Sequence, residues 1–107
     1  MATKIGTDDF KKEVLEHKGL AMVDFYADWC GPCKATEPII EELSTEMKDT
    51  IKIVKIDVDA DPDIASQYGV FSIPTFVIFK DGKNVSQFSG ARDKSGFVSE
   101  IDKASAN

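Results

Sequence analysis

Leu20-Ala21-Met22-Val23-Asp24-Phe25-Tyr26-Ala27, followed at once by Asp28-Trp29-Cys30-Gly31-Pro32-Cys33-Lys34, is the stretch on which the fold turns. Its first half is an almost unbroken apolar run, the pattern of a strand buried on both faces. Its second half puts a Cys-x-x-Cys at the exit of that strand. A helical pattern then runs to about Lys48, with Thr36, Ile39, Ile40, Leu43 and Met47 on one side. Pro32 suits the first turn of such a helix, where a missing N–H costs nothing. Pro38 lies further in and is expected to kink it.

Upstream, Thr3 to Ile5 reads as a short edge strand. Thr7 is expected to cap a helix reaching Lys18, with Asp8 and Asp9 in its first turn, where acids suit the helix dipole. Phe10, Val14 and Leu15 would share its inner face, and Gly19 would end it. Downstream, Ile51 to Val58 reads as a second buried strand and Pro62 to Tyr68 as a short helix ended by Gly69. Thr75 to Lys80 is a third strand. Asp81-Gly82 is a hairpin signal leading into a strand from Asn84 to Ser89. Asp93 caps a last amphipathic helix carrying Phe97, Val98, Ile101 and Ala104. Early strands alternating with helices imply right-handed parallel crossovers, and the hairpin adds antiparallel pairing. The expectation is an α/β fold, one mixed sheet with helices on both faces, with chemistry at the ends of the central strands. A length of 107 residues suits one domain spanning 1–107.

The net charge of −6 is not broken by any basic cluster, which argues against a reader of nucleic acid or an anionic membrane surface. No apolar stretch is long enough to span a bilayer. The first ten residues carry neither the apolar run of a signal peptide nor an Arg-rich helix, so a cytoplasmic protein is expected. Both cysteines of the chain lie in the one Cys-x-x-Cys. In a reducing compartment such a pair is catalytic or metal-binding more often than a staple. Zinc would need two more ligands, and the chain offers only His17. A bridge over two residues constrains the unfolded chain little. Asp57, Asp59, Asp61 and Asp63 alternate as in a calcium loop, but Pro62 and Tyr68 stand where an EF-hand needs Gly and Glu. No metal is expected.

Redox chemistry accounts for the pair better. Cys30 opens a helix, where backbone N–H groups lack intrahelical partners and the dipole favours negative charge. A thiol there ionises more readily, and the thiolate is the attacking form. Cys33, one turn on, brings its Cβ to ~5–6 Å, close enough to bond after a small adjustment. Cys30 is therefore the expected nucleophile and Cys33 the resolving thiol, with the reversible Cys30–Cys33 disulfide as the redox group. Gly31 leaves the surface unobstructed, Pro32 stiffens the ring, and Trp29 stands ready to contact partners. Asp24, among apolar neighbours, is costly to ionise there and is expected to have a raised pKa.

Val23-Asp24-Phe25, Trp29-Cys30-Gly31-Pro32-Cys33-Lys34, Lys55, Ile73-Pro74-Thr75, Phe79-Lys80-Asp81-Gly82 and Gly90-Ala91 together resemble the thioredoxin family over essentially the whole chain. Thioredoxins are themselves a known instance of the reactive Cys-x-x-Cys thiol. The resemblance implies the thioredoxin fold, a mixed five-stranded central sheet flanked by four helices. It implies a protein-disulfide reductase with no bound cofactor, supplied with electrons from NADPH or ferredoxin through a thioredoxin reductase. Ribonucleotide reductase, peroxiredoxins and methionine sulfoxide reductases are the implied acceptors, and a monomer is expected. It places Asp24 beneath Cys33 as proton acceptor and donor, with Lys55 as its charge partner. It puts a cis-Pro74 beside the cysteines, leaving the Ile73 backbone free to pair with an extended substrate, and Gly90 on the rim of the same groove.

Two positions depart from the best-known bacterial pattern. Tyr26 replaces a tryptophan, and Asp57 is expected to add charge near Lys55 and weaken its pairing with Asp24. An oxidase or isomerase of the same chemistry usually carries a histidine between the cysteines, so Gly31-Pro32 favours a reductant. A binding module using the surface around Trp29, Pro74 and Gly90 is the reading from another class. It would survive loss of both cysteines.

Overall fold

The structure is a computed structural model and describes residues 2–107. Strand β2 (Leu20–Tyr26) is the deciding apolar run, and six of its seven residues are buried. Burial on both faces follows from its central place in the sheet. It pairs in parallel with β3 (Ile51–Asp57) on one side and antiparallel with β4 (Thr75–Lys80) on the other. The short β1 (Thr3–Lys4) lies outside β3, and β5 (Lys83–Ser89) outside β4. The order β1-β3-β2-β4-β5 is the mixed five-stranded sheet expected from the alternation of elements.

Four helices cover the sheet: α1 (Thr7–Phe10), α2 (Gly31–Glu46), α3 (Pro62–Gln67) and α4 (Lys94–Ser105). Alternation along the strands sorts their side chains into two layers. Val23, Phe25, Val54, Ile56, Val77 and Phe79 pack with Phe10 of α1 and Ile64 and Ala65 of α3. Met22, Ile51, Ile53, Phe76 and Ile78 pack on the opposite face with Ile40 and Leu43 of α2 and Phe97 and Ile101 of α4. Phe76 meets Phe97 edge-on with ring centres 4.8 Å apart, a geometry aromatic rings favour.

The first helix differs from expectation. Its cap is Gly6, whose N–H is received by Asp9, while Thr7 donates both its N–H and its hydroxyl to Asp61. Beyond Phe10 the coil widens to a π-helical stretch, Lys11–Leu15, and it stops there rather than at Lys18. The wider turn buries Val14 and leaves Leu15 on the surface at 37% exposure, so Leu15 does not share the inner face. α2 runs through Pro38 without interruption. Asp93 caps α4 as expected, its carboxylate accepting from the Gly96 N–H at 2.8 Å.

Candidate active site

β2 ends at Tyr26, and a turn carries the chain over Ala27, Asp28 and Trp29 to Cys30, the cap of α2. Cys30 has extended backbone, so the chain changes direction at this residue and its side chain folds back over the first helical turn. The Cys33 N–H points at the Cys30 sulfur, with N to Sγ 3.2 Å. This N–H is one of the donors a helix start leaves without an intrahelical partner. A negative sulfur at Cys30 therefore meets a donor already in position.

Cys30 and Cys33 are joined as a disulfide, with Cα atoms 5.2 Å apart. Ala27, Tyr26, Val58 and Ile73 pack around them. Cys30 is 3% and Cys33 7% exposed, so a partner must press its own disulfide into the groove to reach sulfur.

The peptide bond between Ile73 and Pro74 is cis, as the resemblance implied. The Pro74 carbonyl accepts from the Gly90 N–H at 2.8 Å, which ties together two of the three segments that surround the sulfurs. Gly90 has φ +91°, a conformation that side chains disfavour, although a Cβ there would meet nothing within 4 Å. Gly31 is equally open, and Pro32 beside it is exposed. Trp29 is 70% exposed, and its indole N–H donates to Asp59 at 2.8 Å, so the ring is held in one orientation at the rim.

Beneath the helix start lies a cavity of about 300 Å³, lined by Asp24, Tyr26, Ala27, Asp28, Cys33, Lys34, Glu37 and Lys55. Asp24 is 5% exposed, and its Oδ1 has no hydrogen-bond partner among the described residues. Burial pushes its pKa up from 3.8 to about 7; Lys55 pulls it down, and Glu37 and Glu41 push it up. The parallel register sets Asp24 opposite Lys55. The ion pairs among the described residues lie elsewhere, and the Lys55 ammonium sits over the Tyr26 ring, 5.0 Å from its centre. The tyrosine that replaces the usual tryptophan thus holds the cation by its π face.

Asp57 makes no ion pair with Lys55 among the described residues. Its carboxylate turns into the following loop and accepts from the N–H groups of Asp59 and Ala60. Three of the four alternating acids have partners: Asp57 on backbone, Asp59 on Trp29 and Asp61 on Thr7.

The family-wide sequence model described as Thioredoxin matches residues 2–103. The chain belongs to the thioredoxin family. It is 43% identical over 104 residues to a thioredoxin of Rickettsia felis, covering 97% of this chain and 99% of that one. It is 43% identical over 103 residues to thioredoxin 1 of Synechococcus elongatus, covering 96% of each. A chloroplastic M-type thioredoxin of Chlamydomonas reinhardtii is 42% identical over 102 residues, covering 95% of this chain and 73% of that one. The five-stranded mixed sheet with four helices is the thioredoxin fold. Family and bonded cysteine pair together make the chain a thiol–disulfide oxidoreductase, a protein-disulfide reductase of the thioredoxin type. No helix among the described residues is long and apolar enough to cross a membrane.

Of the residues packed around the sulfurs, the reading from sequence named Ile73 but gave no such part to Ala27, Tyr26 or Val58, and it assigned no role at the site to Glu37, Asp59 or Asp61. A tryptophan at the rim with acids some thirty residues on gave no local signal that they would meet.

Proposed function

We propose that residues 1–107 act as one thioredoxin unit, in which Cys30 attacks and Cys33 resolves. The Cys30 thiolate attacks one sulfur of a substrate disulfide. A Cys30–substrate bond forms, and the other substrate sulfur leaves as a thiolate that takes a proton from solvent. Asp24, as carboxylate, accepts the Cys33 proton. The Cys33 thiolate then attacks Cys30 Sγ, forming the Cys30–Cys33 bond and releasing the second substrate thiolate. The substrate is reduced by two electrons and the dithiol is oxidised by two.

The observation that carries this reading is the Cys33 N–H aimed at Cys30 Sγ while Cys33 itself lines the cavity of Asp24. One sulfur is provided with a donor and the other with access to a base. Lys55 moderates Asp24 by its charge. Trp29, Gly31, Pro32, Ile73, Pro74 and Gly90 form the groove, where an extended substrate segment pairs with the Ile73 backbone. Electrons return from NADPH or ferredoxin through a thioredoxin reductase. Ribonucleotide reductase, peroxiredoxins and methionine sulfoxide reductases are the acceptor types, and the protein works as a cytoplasmic monomer.

Reductase-coupled insulin reduction tests the assignment. Cys30→Ser abolishes turnover, and Cys33→Ser accumulates a mixed disulfide with insulin, visible by non-reducing electrophoresis. Turnover by Cys33→Ser at the wild-type rate would overturn the resolving role.

A further inference from the structure

The proton-handling cavity contains a carboxylate that the exchange reaction does not yet use. Glu37 stands one turn beyond Cys33 on α2 and lines the same cavity as Cys33, Asp24 and Lys55. Asp24 is buried at the inner end, whereas Glu37 is exposed at the outer one. A cavity of about 300 Å³ has room for solvent, and both acids border it.

We propose that Glu37 is a positioning residue for the resolving step: across this shared cavity its charge sets the pH at which Asp24 takes and returns the Cys33 proton. The proposal rests on the reading of Asp24 as proton acceptor. The charges around Asp24 assign the role to Glu37 in particular. On β3, Lys55 opposes it, held over the Tyr26 ring of β2. On α2, Glu41 also favours the proton, but its carboxylate accepts the Ala2 N–H at 2.9 Å and does not line the cavity. Lys34 and Asp28 complete the charged wall, and neither figures among the influences on Asp24. β4 places only Phe76 beside Asp24, and α4 turns Phe97, Ile101 and Ala104 to that layer. Among the carboxylates on the cavity wall, Glu37 is thus the one that acts on Asp24.

The chemical consequence concerns a balance. The resolving step needs Asp24 ionised when Cys33 is a thiol, and needs the proton to be held once it has moved. Lys55 favours release and Glu37 favours retention. Burial lifts the turnover point to about 7, and the opposed charges of Lys55 and Glu37 adjust it there, where a base is most effective at physiological pH.

The test compares oxidised wild type, Glu37→Gln, Glu37→Lys and a remote charge control, Glu16→Gln, by carbon-13 NMR titration of the Asp24 carboxyl. Glu37→Gln lowers the midpoint by about half a pH unit, the size of one charge acting across the cavity, and Glu37→Lys by about one unit. Glu16→Gln leaves it in place. Equal midpoints for Glu37→Gln and Glu16→Gln would overturn the proposal. The pH profile of single-turnover resolution moves to lower pH with the same variants. Asp24→Asn, run in parallel, separates the two ideas. If it leaves that profile unchanged, the Asp24 reading fails, and the role of Glu37 in resolution fails with it. If it flattens the profile while Glu37→Gln leaves the profile in place, only the Glu37 proposal fails.

Discussion

Asp24 is kept in the fold at a cost that varies with pH. Its pKa is raised by burial from 3.8 to about 7. Between those values the folded chain holds a proton that the unfolded chain has released. Stability therefore falls as pH rises through that window, and the whole penalty is present above about 7. At 1.36 kcal/mol per unit the loss is on the order of 4 kcal/mol. Asp24→Asn removes the charge while keeping the shape. Urea unfolding at pH 8 is expected to show the variant more stable by that order, with the advantage shrinking toward pH 4. Parallel curves at all pH values would contradict the burial account. A carboxylate that a neutral amide would relieve is the cost expected where stability yields to the proton transfer proposed for Asp24. This much was legible in the sequence, because a lone acid inside an apolar strand needs no tertiary knowledge to be recognised as costly.

The turn between β4 and β5 shows how one element fixes another. Asp81 donates its N–H to the Gly19 carbonyl, and its carboxylate receives the Gly19 N–H at 2.7 Å. The hairpin tip is thereby bonded to the connection that leads into β2. Gly82 follows with φ +81°, and a Cβ there would collide with the Leu15 carbonyl. Gly82→Ala is expected to cost at least about 2 kcal/mol, read as a lower urea midpoint at unchanged slope. A loss under half a kilocalorie would mean that the turn can withdraw from the first helix. The hairpin was readable from Asp-Gly alone, since turn chemistry is local. The first helix was not. Its start is tied through Thr7 to Asp61, fifty-four positions away, and nothing local marks the widening beyond Phe10. No window along the chain contains both residues. Strand and helix cores were legible from periodicity for the opposite reason: each repeats its signal within a few residues.

At the scale of the molecule, the reactive turn hangs from the central strand of the sheet, while β1 and β5 form the two edges. Cys30, Pro74 and Gly90 come from three separate stretches, and the sequence made them one groove only through family likeness. Distance along the chain hid Asp59 in the same way, whereas Glu37 stands one helical turn beyond Cys33 and only the cavity that joins it to Asp24 is made by packing. Amide exchange is expected to be slowest at Met22 to Phe25, with a protection free energy equal to that of global unfolding, and faster along Lys83 to Ser89. Faster exchange in the central strand than at that edge would refute this ranking. The central mooring of the sulfurs has one more consequence. Fraying at either flank leaves the dithiol anchored, so a partly opened chain does not set loose a promiscuous nucleophile.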